Sequence, residues 1–108
     1  MRIRNGRTIL LPNKGVWDVW LANVPFEDLP ERKVRPVLIV KHDDDITVYC
    51  LKMTSHIPRT GEYALIKWQN AGLKKGTTVR VEKLLQLDAT FFIRKLGRLD
   101  PVDIIGVE

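Results

Sequence analysis

The chain has 108 residues, 44% hydrophobic and 29% charged, with 18 lysines and arginines against 13 acids for a formal charge of +5. That length supplies one hydrophobic core and not two, so residues 1–108 read as a single domain, and the composition excludes a disordered or low-complexity protein. No apolar run approaches the roughly 18 residues of a membrane span, the opening MRIRNGRTILLPNKG has too short an apolar segment for a secretory signal, and one cysteine excludes a disulfide framework, so a cytoplasmic protein is expected.

In chain order, Arg2, Arg4, Arg7 and Lys14 precede the first acid, Asp18, and make residues 1–14 a basic arm. Within it Ile9-Leu10-Leu11 could form an extra edge strand, closed by the turn Pro12-Asn13-Lys14-Gly15. Residues 16–21, VWDVWL, alternate as a strand with Trp17, Val19 and Leu21 on one face and Val16, Asp18 and Trp20 on the other. In a strand this apolar both tryptophans read as packing residues. Residues 22–33 read as a loop long enough to be functional.

The stretch ERKVRPVLIV, residues 31–40, is the one around which the chain is organised. Pro36 fixes its own φ and biases Arg35 to extended geometry, so Val37-Leu38-Ile39-Val40 enters a strand buried on both faces and Arg35 is held at its mouth. Asp43-Asp44-Asp45 lacks the glycine and distal glutamate of a calcium loop and reads as a solvated hairpin tip. Residues 46–54 form the next strand, carry Cys50 as a core thiol, and deliver Thr54-Ser55-His56 to its end.

Residues 63–68 and 77–81 read as two further strands, separated by a glycine-punctuated loop that holds Lys74 and Lys75. Asp88 is placed to cap a helix over residues 89–96, with Arg94 and Lys95 in its last turn and Gly97 ending it. Asp100-Pro101 starts a second, short helix. Short, closely spaced strands with little helix predict a mainly β fold, a small β-barrel.

There is no CxxC, HExxH, P-loop or glycine-rich dinucleotide turn, and His42 and His56 are too few for a histidine metal site, so neither metal nor cofactor is expected. What remains is a set of polar residues at strand ends: Arg35, Thr54, Ser55, His56, Arg80 and Glu82. Arg80 and Glu82 are two apart on a strand and project from one face. Guanidinium groups, hydroxyls and a carboxylate suit phosphate chemistry; cleaving RNA through its own 2′-hydroxyl, for example, needs a base, cations for the charge on the phosphoryl oxygens, and an acid for the leaving 5′-oxygen. Lys33, Lys52, Arg59, Lys74 and Lys75 are further cations able to bind the RNA backbone.

KVRPVLIV, KMTSH and AGLKKGTTVRVEKLLQLDATFFIRKLGRLD, with PFED and Gly15 ahead of them, resemble the PemK/MazF family of toxin ribonucleases across residues 15–100. The resemblance implies an SH3-like β-barrel with a helix near the carboxyl end, a homodimer with single-stranded RNA in a groove across both subunits, and a cognate antitoxin. It implies cleavage without a metal that leaves a 2′,3′-cyclic phosphate and a 5′-hydroxyl. Arg35 and Thr54 match residues that stabilise the phosphate, Ser55 follows in the serine position, and Arg80 and Glu82 fall where one branch has an arginine and an aspartate proposed as acid and base. His56 is a proton carrier that only some members have. The chain departs from the pattern in GVWDVW, where the family has Gly-Asp, and in its short segment after Leu99. The alternative is a barrel of the same kind that binds nucleic acid or a protein target without catalysis, as toxins that poison DNA gyrase do.

Overall fold

The computed structural model describes residues 14–25, 30–42 and 46–108. Residues 1–13, residues 26–29 and the aspartate turn 43–45 lie outside the described residues, and so do the expectations placed on them.

Among the described residues six strands form one antiparallel sheet: β1 (Asp18–Pro25), β2 (Arg32–His42), β3 (Thr47–Thr54), β4 (Tyr63–Ala64), β5 (Thr78–Asp88) and β6 (Phe92–Arg98). Their order across the sheet is β4-β5-β3-β2-β1-β6. One helix, α1 (Pro101–Val107), follows β6. The fold is mainly β and barrel-like, as expected, but β4 and β6 are not hydrogen-bonded to each other, so the sheet curls without closing its ladder.

The curl results from where the apolar residues go. Val19, Leu38, Leu51, Met53 and Val79 from the middle of the sheet cluster with Leu65, which follows β4, Ala71, and Leu99, which follows β6. Residues from opposite ends of the strand order thus share one core, which only a curled sheet allows. Val37, Leu38 and Ile39 are completely buried and divide between this cluster and a second one built around Trp20, Val48, Cys50 and Phe92. The β2 run is therefore buried on both faces, and each such side chain contributes roughly 1.5–3 kcal/mol. Trp17 and Trp20 are packing residues, as expected: Trp20 lies edge-on to Phe92 with centroids 6.2 Å apart, and Trp17 packs on the first cluster. Lys14 covers the Trp20 ring at 4.2 Å, and its burial lowers the amine's pKa.

Three expectations are corrected. The helix over 89–96 is absent: Asp88 does cap, accepting from the Thr90 N–H at 2.9 Å, but caps only a 3₁₀ turn at Ala89–Phe91, and the chain then pairs as β6 against β1. Burial of Phe92 and pairing to β1 override a local helix signal that is satisfied equally by one turn. The 22–33 loop is shorter at both ends, because β1 runs to Pro25 and β2 begins at Arg32. The strand over 63–68 is two residues long and gives way to a 3₁₀ turn at Trp68–Ala71.

That turn closes the curl. Gly72 has φ +81°, the left-handed region that favours glycine, and a Cβ there would strike the Leu96 carbonyl. Gly97 also meets Ala71 too closely for a side chain, with its hypothetical Cβ 2.6 Å from the Ala71 carbonyl. Backbone thus rests on backbone between the turn and β6.

Helix α1 is fastened by carboxylates. Asp100 caps it, accepting from the Val102 N–H at 3.0 Å, with Pro101 in the first turn. Asp103 is fully buried and accepts three hydrogen bonds, each at 2.8 Å, from the Tyr63 hydroxyl and the N–H groups of Ile66 and Lys67. Asp103→Ala strands three donors, and we expect a loss of about 3 kcal/mol in urea unfolding. Burial, with the bond to Asp103, pushes Tyr63 up to about 12 from an ordinary 10.0. A raised folded-state pKa makes this contribution complete below pH 10 and lost as pH rises towards 12. Stability of the protein therefore falls over that window, and Tyr63→Phe flattens the fall when melting is followed against pH.

Candidate active site

The ladder carries each polar residue to one rim. Arg35 lies opposite Ala22 and Pro36 opposite Leu21 on β1, while the β2–β3 ladder starts only at Val37 opposite Lys52. Pro36 is thus just beyond the β3 pairing, where its missing N–H costs no bond on that side. Met53 lies opposite Val79 but Leu51 opposite Leu84, so Lys52 alone faces residues 80–83 of β5. This bulge sets Arg80 beside the end of β3; bulges commonly redirect side chains in this way.

Beyond β3, Thr54 Oγ1 accepts a long 3.4 Å bond from the His56 N–H, and the buried Thr78 hydroxyl donates to the His56 carbonyl at 2.9 Å. Thr54 and Thr78 are ladder partners, so one rung of the sheet shapes the Thr54-Ser55-His56 turn.

A cavity of about 210 Å³ is lined by Arg35, Lys52, Thr54, Ser55, His56 and Arg80 over an apolar floor that includes Val24, Pro36 and Met53. Of the expected strand-end set, all but Glu82 therefore meet in one concavity. A second cavity of about 400 Å³ shares Arg35, Pro36, Met53, Thr54 and Ser55 and extends to Lys74, Lys75 and Arg94. Glu82 is outside both. It lines a smaller recess with Arg59, Thr60, Glu62, Lys83 and the other side of Arg80, which keeps the expected common face of Arg80 and Glu82. Lys33 is exposed on β2 and lines neither cavity.

The sequence did not single out Glu62, Thr78 or Arg94. Glu62 Oε2 accepts from Arg80 Nε at 3.1 Å, and its Oε1 accepts from the Arg59 N–H at 3.0 Å. The Arg59 N–H and then the Arg80 guanidinium hold this carboxyl below its usual range, so it stays ionised and fixes Arg80 by one nitrogen. Asp18, by contrast, acts as a clamp: it is buried, accepts from the Gly15 N–H at 2.7 Å, and pairs with Lys95 at 3.5 Å.

Cys50 is completely buried, and desolvation pushes its thiol up to about 12. It is a core thiol, not a nucleophile. Alkylation at pH 8 should be negligible in the native protein and rapid in denaturant, read by mass spectrometry. Among the described residues no group of His, Cys, Asp and Glu side chains comes together as a metal site, and no helix is long and apolar enough to cross a membrane.

A curled six-stranded sheet with arginines and hydroxyls gathered at one rim defines a small β protein with a cationic, hydroxyl-lined concavity. Residues 16–108 match the model of the PemK-like, MazF-like toxins of type II toxin–antitoxin systems, and the chain belongs to that family. Its members are toxins, generally endoribonucleases, paired with antitoxins. No curated protein gives a match to the chain.

Proposed function

We propose that this toxin is an endoribonuclease that cuts single-stranded RNA by attack of the 2′-hydroxyl on the adjacent phosphate. The observation that carries the reading is the cavity lined together by Arg35, Thr54, Ser55, His56 and Arg80. A phosphodiester seated there meets two guanidinium groups, which stabilise the charge that builds on the phosphoryl oxygens as the fifth bond to phosphorus forms. The Thr54 and Ser55 hydroxyls donate to the same oxygens. His56, the proton carrier of the cavity, takes the 2′-hydroxyl proton, and solvent water at the open rim gives the 5′-oxygen its proton as the bond to phosphorus breaks, the resulting hydroxide being neutralised by the proton that His56 releases. The products are a 2′,3′-cyclic phosphate and a 5′-hydroxyl. Glu62 holds Arg80 in place, and Glu82 serves the neighbouring recess, where Arg59 and Lys83 supply positive charge.

Lys33, Lys52, Arg59, Lys74 and Lys75 extend the cationic path along the RNA backbone. The toxin works in the cytoplasm as a homodimer, and an antitoxin segment with acidic side chains silences it by covering the same rim.

The test is sequencing of RNA ends produced by the purified protein, freed of antitoxin, in excess EDTA. Cyclic-phosphate and 5′-hydroxyl ends are expected. Arg35 is exposed, so Arg35→Ala should melt like the wild type while cutting roughly 10²- to 10³-fold more slowly. Intact RNA from antitoxin-free wild type would overturn the reading and favour a binding module without catalysis.

A further inference from the structure

The larger cavity reaches well past the residues assigned to the cut bond. Its volume of about 400 Å³ falls in the range of roughly 300–1,000 Å³ typical of small-molecule sites, and it joins the smaller cavity through Arg35, Pro36, Thr54 and Ser55. Its outer walls are two. On one side Arg94, Leu21 and Pro36 form a row across β6, β1 and β2, since Leu21 lies opposite both of the others in its two ladders. On the other, the Gly72 turn brings Leu73, Lys74 and Lys75 against β6.

The chemistry of these walls is specific. Leu21, Leu73 and Leu96 offer an apolar slot, while Arg35, Lys74, Lys75 and Arg94 offer four cations and no carboxylate lines the cavity. Among the described residues none of the four has an acidic side chain within ion-pair distance, although Lys95 and Arg98 on the same strand as Arg94 both pair with Asp18. A slot with greasy sides and such cations at its mouth matches one unit of a single-stranded nucleic acid: a flat base and an anionic linkage.

We propose that this cavity seats the nucleotide next to the cut bond, with Arg94 against its base and Lys74 and Lys75 on its phosphate. The proposal rests on the ribonuclease reading for its substrate. Arg94 is then a specificity-determining residue, and the β6 strand that carries it forms part of the substrate site.

Two measurements on the full chain test it. The first is cleavage of a random single-stranded RNA pool by the wild type, Arg94→Ala and Arg94→Lys. Arg94→Ala should lose roughly tenfold in kcat/KM and relax base preference at one position beside the cut, with Arg94→Lys recovering rate better than preference. The second is equilibrium binding of an uncleavable 2′-deoxy oligonucleotide. Arg94→Ala should weaken it by a similar factor, and Lys74→Ala should weaken it evenly across sequences with a shallower dependence on salt. If the wild type cuts RNA and Arg94→Ala keeps both its rate and its preference, the subsite falls and the ribonuclease stands. If the wild type cuts nothing, oligonucleotide binding still decides: a loss in Arg94→Ala supports the subsite, and unchanged binding removes it.

Discussion

The contact between the Trp68–Ala71 turn and β6 is the constraint on which the rest of the molecule depends. Two glycines, Gly72 and Gly97, let main chain lie against main chain where any side chain would intrude. The sheet has no ladder joining its edge strands, so this contact holds the curl that encloses Leu38, Val79 and Leu99 in one cluster. The same contact aligns the lysine loop with Arg94 and so sets the width of the larger cavity. Core and site are consequences of one close approach.

At the rim the protein keeps like charges together. Arg80 has Glu62, but Arg35, Lys74, Lys75 and Arg94 line a common space that no carboxylate lines with them. Such crowding is unfavourable in the isolated protein and becomes favourable when an anion enters, so part of the folding free energy is held back for binding. The rigid strand behind Arg35 makes this possible. Val37, Leu38 and Ile39 are locked on both faces, and the guanidinium beside them has no soft backbone through which to retreat.

Much of this is readable in the residues. The Arg-Pro junction, the doubly buried run after it and the Asp100-Pro101 helix start each depend on local geometry, which sequence reports directly. The convergence of Arg35, Thr54 and Arg80 is expected from strand ends and from the family resemblance, and the cavity they line has that membership. Strand β6 is hidden because Asp88, the aromatic run and Gly97 spell a capped helix equally well, and only partners far away in sequence choose between them. Arg94 reads as part of a helix end for the same reason. Glu62 is invisible because its role comes from the bulge between β3 and β5, a departure from regular pairing that no alternation of side chains announces.

The Asp103 carboxylate has a bearing on biosynthesis. It lies forty positions beyond Tyr63, and the amides of Ile66 and Lys67 also depend on it. While the ribosome is still making the later segment, those donors have only water, and the short β4 edge lacks its anchor. The β4 edge and the approach to the Trp68–Ala71 turn thus gain their carboxylate anchor only once the end of the chain is in place.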